Sequence, residues 1–336
     1  SSSQQRQQLD LRFTEPRFMG REVSAGFDLY SLRTDFLDQS SFENQSTGLG
    51  LRAGFQTSEH TSLGLTYSLI QDDTQIANVF VDHDNNINTA PIDQCDALNP
   101  NRPLLCDQEG SFITSLLGYS LNWDRRNEAV RATRGFDLQL SQDVAGLGGA
   151  VNYLRTELQG GVYYGLPAGF RATARLNAGY IMGWGGDDVR INDRFFKGGS
   201  SFRGFDVAGV GPRQLLVDDA TGNVVQEGDA IGGNAYAIGT LQLDVPLPLP
   251  ESFSLGGALF LDVGTLGVVD TASRQPIDLG AQSLVVDDSL SLRAAAGVSI
   301  YWDSPFGPVQ FDFAEPLAFE DFDRQQEFRF STRTQF

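Results

Sequence analysis

The chain has 336 residues and carries 43 acidic against 24 basic side chains, a formal net charge of −19. An acidic excess of that size argues against nucleic acid as a partner, because phosphate binding needs a basic surface. Apolar residues make up 40% of the chain, yet no run approaches the roughly 18 consecutive apolar residues of a membrane-crossing helix.

The N-terminal SSSQQRQQ lacks the basic and apolar regions of a secretory leader. Either a leader has been removed or the chain begins within something larger. Beyond it the period is two almost everywhere. Leu9, Leu11 and Phe13 alternate with Asp10, Arg12 and Thr14; Val23, Ala25, Phe27 and Leu29 with Ser24, Gly26 and Asp28; Leu49, Leu51, Ala53 and Phe55 with Gly48, Gly50, Arg52 and Gly54. The pattern returns at 170–180 and at 292–303. Successive strand side chains point to opposite faces, so each segment has one apolar and one polar face. Thirteen strands are expected, near 8–14, 22–36, 45–57, 60–72, 110–125, 134–142, 149–164, 168–184, 232–246, 252–266, 289–303, 307–315 and 326–336.

A soluble β-sandwich would alternate too. Here the segments are long, about 9 to 15 residues, which suits tilted bilayer-crossing strands. Their polar faces carry small residues and full charges, as the lining of a lumen would. Connections alternate short (EPRFMGRE, SEH) with long (LDQSSFEN, 72–109). The expectation is an all-β, transmembrane antiparallel β-barrel filling residues 1–336, closed because backbone groups in lipid must all be paired. Thirteen is odd, whereas bacterial single-chain barrels are even. With short turns periplasmic, the strand at 8–14 would start outside the cell. An odd number of preceding strands is therefore expected.

Cys95 and Cys106 bracket the polar, proline-containing DALNPNRPLL. A disulfide made in an oxidising compartment is expected, contributing about 3 kcal/mol; the alternative is two free thiols. The two histidines have no ligand spacing, so no zinc site is expected. Asp82-His83-Asp84-Asn85-Asn86 is like the start of a calcium loop, but Ile87 stands where glycine is needed and the closing glutamate is missing. No metal and no cofactor are expected. The carboxylates are scattered and no Ser–His–Asp or Gly-x-Ser-x-Gly arrangement occurs, so the chain does not read as an enzyme.

The alternation stops at RFFKGGSSFRGFDVAGVGPR, 194–213, inside a connection of about 185–229 that is too long for a simple turn. Gly198, Gly199 and Gly204 permit backbone conformations closed to other residues. Arg203 stands between Phe202 and Phe205, which read as packing anchors. On composition alone, Arg203 is either a solvated loop arginine or an internal contact.

FFKGGSSFRGF followed by GPR resembles the sixth extracellular loop of the BamA family, central factors of outer-membrane protein assembly, within the wider superfamily of polypeptide-transport-associated outer-membrane barrels. Phe202-Arg203-Gly204-Phe205 stands for the family's [VI]RGF signature, with Phe202 in place of the aliphatic residue. DAIGGNAYAIGTLQLDVPLP (229–248), ALFLDVGTL (258–266), AGVSIYWDSPFGPVQFDFAEPL (296–317) and EFRFSTRTQF (327–336) resemble the family's last strands in order, and FTEPRFMGREVSAGFDLY (13–30) an early hairpin. The resemblance implies a sixteen-strand barrel whose fourth to sixteenth strands are here, the first three strands and the periplasmic domains being absent.

It also implies insertion and folding of β-barrel proteins in the bacterial outer membrane without nucleotide. The action would pass through a weakly paired seam at the last strand, an edge that templates an incoming strand. Phe328, Phe330, Thr332, Thr334 and Phe336 would form one face of that strand. Phe336 resembles the terminal aromatic of outer-membrane barrels, while Thr334 replaces a second aromatic. Implied partners are outer-membrane lipids, nascent barrel proteins, accessory lipoproteins and the periplasmic domains of a longer chain. In the family the loop folds into the lumen and its arginine meets acidic wall residues, where a guanidinium makes bidentate contacts. By strand phase Asp262, Gln242 and Asp244 point inward. Asp262 matches one family partner; the other is a glutamate, and Gln242 stands there, so Asp244 or Gln242 is the second expected partner. Competing readings are a related protein-exporting barrel, of the autotransporter-assembly or two-partner-secretion kind, and a passive porin.

Overall fold

A computed structural model describes the chain except residues 1–5, 37–41, 77–79, 82–91, 94–108, 130, 248–253, 271–275, 279–281, 305–306 and 333–336. Thirteen strands form one antiparallel sheet in chain order: β1 (Arg6–Glu15), β2 (Val23–Phe36), β3 (Phe42–Ser58), β4 (Thr61–Ile76), β5 (Gly110–Asp124), β6 (Arg134–Gly149), β7 (Tyr153–Gly165), β8 (Arg171–Gly183), β9 (Ala235–Val245), β10 (Leu255–Gly267), β11 (Arg293–Ser304), β12 (Gly307–Ala318) and β13 (Phe328–Thr332). Among the described residues, no helix is long and apolar enough to cross a membrane. The strand order is the meander of an up-and-down barrel wall, with β1 and β13 at its two ends.

The period-two pattern sets which face each residue takes. Leu241 (58% exposed), Leu259 (49%), Val298 (42%) and Phe330 (55%) point outward. Their neighbours Asp262, Ser299 and Asp312 are at most 3% exposed and point inward. An apolar outer face and a polar, packed inner face is the arrangement lipid demands. It is the reverse of a soluble sandwich, whose apolar faces meet each other.

The inner space is filled rather than open. Phe195, Phe202, Phe205 and Val210 from the long loop pack with Tyr236 and Ile238 of β9, Leu266 of β10 and Ala295 of β11 in one buried cluster. Each fully buried aromatic or aliphatic side chain contributes about 1.5–3 kcal/mol, so the loop is bound to the wall by several such terms.

The structure corrects the expected strand limits in places. β4 continues to Ile76 and β6 to Gly149, while β7 begins only at Tyr153. Gln325–Gln326 does not belong to the last wall strand; it pairs with Gly204–Phe205 of the loop. Nor is 185–229 structureless. Arg213–Asp218 pairs with Val224–Ala230 on one side and Gln282–Asp287 on the other, and Ile277–Asp278 completes a separate four-stranded sheet. Half of that sheet comes from the connection between β10 and β11. Its pairing depends on segments about seventy residues apart, which local periodicity does not reveal.

Candidate functional site: an arginine loop docked on the inner wall

The loop leaves β8 at Gly183 and turns through Ile191–Asp193, where it touches the far wall. Asn192 donates to Asn44 Oδ1 (3.2 Å) and to Thr74 Oγ1, on β3 and β4. The Arg190 guanidinium lies 3.4 Å from the ring centre of Phe112 on β5. The loop then returns to β9: Phe195 bridges Gly233, and Lys197 Nζ sits 3.6 Å from the ring centre of Tyr236. Burial pushes the Lys197 ammonium below its ordinary pKa, while the Tyr236 hydroxyl donates to Glu157 (3.1 Å).

The glycines make the next turn possible. Gly198 has φ +129°, and a Cβ there would meet the Asp206 carbonyl at 1.9 Å. Gly204 has φ +89°, and a Cβ there would come within 2.6 Å of the Ala295 methyl. No other residue fits either place. Phe202 and Phe205, flanking Arg203-Gly204, are each 1% exposed, with ring centres 5.0 Å apart and edge to face. Their burial aims Arg203 at the wall.

Arg203 is 8% exposed. Its Nε and Nη2 donate to Asp262 Oδ2 and Oδ1, both at 2.8 Å, and its backbone N–H donates to Oδ2 at 3.3 Å. Nη1 donates to Gln242 Oε1 (3.4 Å) and Ser299 Oγ (3.3 Å). The guanidinium plane stacks on Phe260, 3.5 Å from its ring centre. Thr240 Oγ donates to Asp262 Oδ1 (2.8 Å). This is a bidentate, charge-assisted pair in a dry setting, where both ions are compensated by further hydrogen bonds.

Arg203, Asp262 and Gln242 thus meet, and Asp244 does not join them. Asp244 faces Arg171 directly across the β8–β9 register and takes that guanidinium instead, with Nε 2.5 Å from Oδ2. Its other oxygen accepts from the Gln242 amide nitrogen (2.8 Å). Gln242 therefore donates to Asp244 and accepts from Arg203, a bridge that the glutamate expected there, once ionised, could not make. Ser299, Phe260 and Thr240 were not singled out from the sequence. Their inward phase was legible, but not the level along the wall at which Arg203 would arrive.

On the last strand Phe328 and Phe330 point outward and stack on Phe313 and Phe311 of β12, with ring centres 5.1 and 5.4 Å apart. Thr332 pairs with Val309. Thr334, Phe336, Cys95, Cys106 and the acidic stretch 82–86 lie outside the described residues.

A lipid-facing meander with an arginine loop folded against its inner wall defines an outer-membrane β-barrel whose lumen is occupied by its own chain. The chain belongs to the Omp85 superfamily, whose domain model matches residues 1–336, and its place is the bacterial outer membrane. It is 34% identical over 212 residues to outer membrane protein assembly factor BamA of Neorickettsia risticii, covering 62% of this chain and 25% of that protein. It is 24% identical over 345 residues to outer membrane protein assembly factor BamA of Neisseria meningitidis serogroup B, covering 97% of this chain and 41% of the relative. The crystal structure of BamA from Haemophilus ducreyi lacking POTRA domains 1–3 superposes with a TM-score of 0.75 at 20% identity, over 97% of this chain and 61% of the other. The chain thus spans less than half the length of these two curated relatives.

Proposed function

We propose that this barrel is the membrane part of a factor that inserts and folds β-barrel proteins in the outer membrane. Its partners would be lipid, nascent barrel chains and, through the rest of a longer protein, accessory lipoproteins. The observation that carries the reading is the joint between loop and last strand. The Phe202-Arg203-Gly204-Phe205 turn, anchored on Asp262, pairs through Gly204–Phe205 with Gln325–Gln326, two residues before β13. A passive pore has no need of such a joint. Work on an incoming strand needs a sheet edge whose state can be set, and β13 is an end strand of the sheet. In this reading Arg203, Asp262 and Gln242 hold the loop, Phe202 and Phe205 seat it, and the β13 edge, with Phe328, Phe330 and Thr332 on its lipid face, receives substrate.

The test is depletion of the full-length protein in its own cells, followed by quantification of the outer-membrane proteome. A joint fall of many unrelated barrel proteins is expected, restored by the wild-type gene and poorly by an Arg203→Ala allele. Loss of a single secreted cargo with the other barrels unchanged would refute the insertase reading in favour of an exporter.

A further inference from the structure

We infer that Asp312 is a positioning residue of the loop anchor, supplying the second negative charge for Arg203 through Ser299. The inference rests on the reading of Arg203 as the anchor and extends it to β12, the strand on which the edge strand β13 pairs.

The position where a second direct carboxylate was expected holds Gln242, and Asp244 is engaged by Arg171. Arg203 therefore touches one carboxylate, Asp262. On its other side Nη1 donates to Ser299 Oγ, and the Ser299 hydroxyl donates in turn to Asp312 Oδ1. The polarity is fixed. A guanidinium only donates, a carboxylate only accepts, and the one hydroxyl proton between them must point to Asp312. Ser299 is 0% exposed and Asp312 3%. A buried carboxylate needs compensation. Gln310 donates to both its oxygens (2.8 and 3.0 Å) but brings no charge. The relay to Arg203 brings charge. Arg329 of β13 stands opposite Asp312 in the β12–β13 register, but its Nη1 donates to Gln326 Oε1 (3.0 Å).

Asp312 is thus linked through Ser299 to the loop's cation. Arg329 touches the loop from the other side as well. It lies so close to Gly199 that a Cβ there would be 2.8 Å from Nη1.

The experiment is a double-mutant cycle on the full-length protein in detergent, read by the rate of proteinase K cleavage within the 185–229 loop. Unheated electrophoretic mobility controls for an intact barrel. Asp312→Asn keeps the volume and one acceptor oxygen, which suffices for the Ser299 hydroxyl, and removes the charge. It is expected to raise cleavage about tenfold in the wild-type background, the equivalent of about 1.4 kcal/mol, and to add nothing once Arg203→Met is present. Equal effects in both backgrounds would overturn the inference, since a packing role does not need Arg203. So would no effect in either. If Arg203→Met itself leaves cleavage unchanged, the anchor reading fails first and is distinguished from failure of the relay. Should Asp312→Asn not yield a folded barrel, Ser299→Ala enters the same cycle with the same expectation, and additivity there is equally fatal.

Discussion

Asp262→Asn is the sharpest test of how the loop is held. The carboxylate accepts from Arg203 N (3.3 Å), Nε (2.8 Å) and Nη2 (2.8 Å) and from Thr240 Oγ (2.8 Å), while 2% exposed. Asparagine has nearly the same volume but one acceptor oxygen, and its NH2 would face the guanidinium donors. Gln242 and Ser299 accept only from Nη1, so they give Nε and Nη2 no relief. Removing one partner of a buried pair costs about 3–5 kcal/mol, which multiplies the undocked population by roughly 150 to 5,000. The buried Phe202 and Phe205 still favour docking by about 1.5–3 kcal/mol each, so the loop remains mostly in place and the change is one of population. When opening is fast relative to cutting, protease sensitivity follows that population. Proteinase K cleavage in 185–229 is expected to rise at least a hundredfold, with the unheated band unchanged. Arg203→Lys keeps the charge but loses the fork and the stack on Phe260, and should fall between wild type and Asp262→Asn. A rise of less than tenfold in Asp262→Asn, with the barrel intact, would show that apolar packing rather than the ion pair holds the loop.

Phe202→Ala and Phe205→Ala should each destabilise docking by about 3–5 kcal/mol. The double variant should lose less than the sum, because the two rings touch; thermal loss of the compact electrophoretic band measures both. Gly204→Ala combines a left-handed φ of +89° with a 2.6 Å contact to Ala295, and should expose the loop to protease as strongly as Asp262→Asn. Burial, aided by Asp72 and opposed by Arg155 and Arg190, pushes the Asp193 carboxyl from 3.8 up to about 6. A released loop gives up that proton near 3.8 and a docked one near 6, so the docked state binds more protons in between. Docking should be strongest below pH 4, weaken by up to about 3 kcal/mol as pH rises to 6, and level off above. Asp193→Asn should flatten that part of the pH profile of loop cleavage.

The wall was legible because bilayer strands obey one rule. Alternation over ten or more residues assigns the face of Leu241, Asp262 or Val298 without reference to any partner, and all thirteen strands follow from it. Ends were less legible, since alternation fades where a strand leaves the membrane. β6 runs on to Gly149 through Asp143, Gly146, Gly148 and Gly149, a composition that reads as a turn. The loop was legible as an exception and, only through the family resemblance, its arginine as an internal contact, but its second partner was not. Strand phase put both Gln242 and Asp244 inside. Only the register against β8, which sets Arg171 opposite Asp244, removes Asp244 from Arg203. Phase also put Ser299 inside, yet the distance from loop to wall is a tertiary quantity. The sheet built from Arg213–Asp218 and Gln282–Asp287 was hidden for the same reason: each segment alone is six residues long, and what stabilises it is a partner far along the chain.

Loop docking and the seating of the last strand are linked by shared atoms. Gly204–Phe205 pairs with Gln325–Gln326, the Asp206 N–H donates to the Arg324 carbonyl (2.8 Å), and the Arg324 N–H donates to the Gly209 carbonyl (2.9 Å). The same segment is pinned to the wall by Arg293 and Asp323, 1% and 0% exposed, with Nε 2.9 Å from Oδ2. Backbone hydrogen bonds buried in this way cannot be given up singly, because each leaves an unpaired donor and acceptor behind. Withdrawing the loop therefore removes the pairings of 324–326 with the loop, leaving that lead-in to Phe328 held by Arg293–Asp323 and by the Ala314 N–H on the Glu327 carbonyl (2.8 Å). Conversely, displacing β13 carries Arg329 away from Gly199, which removes one contact of the loop's seat. Two elements joined by several shared contacts are thermodynamically coupled, and the buried arginine that interrupts the strand pattern lies beside that joint.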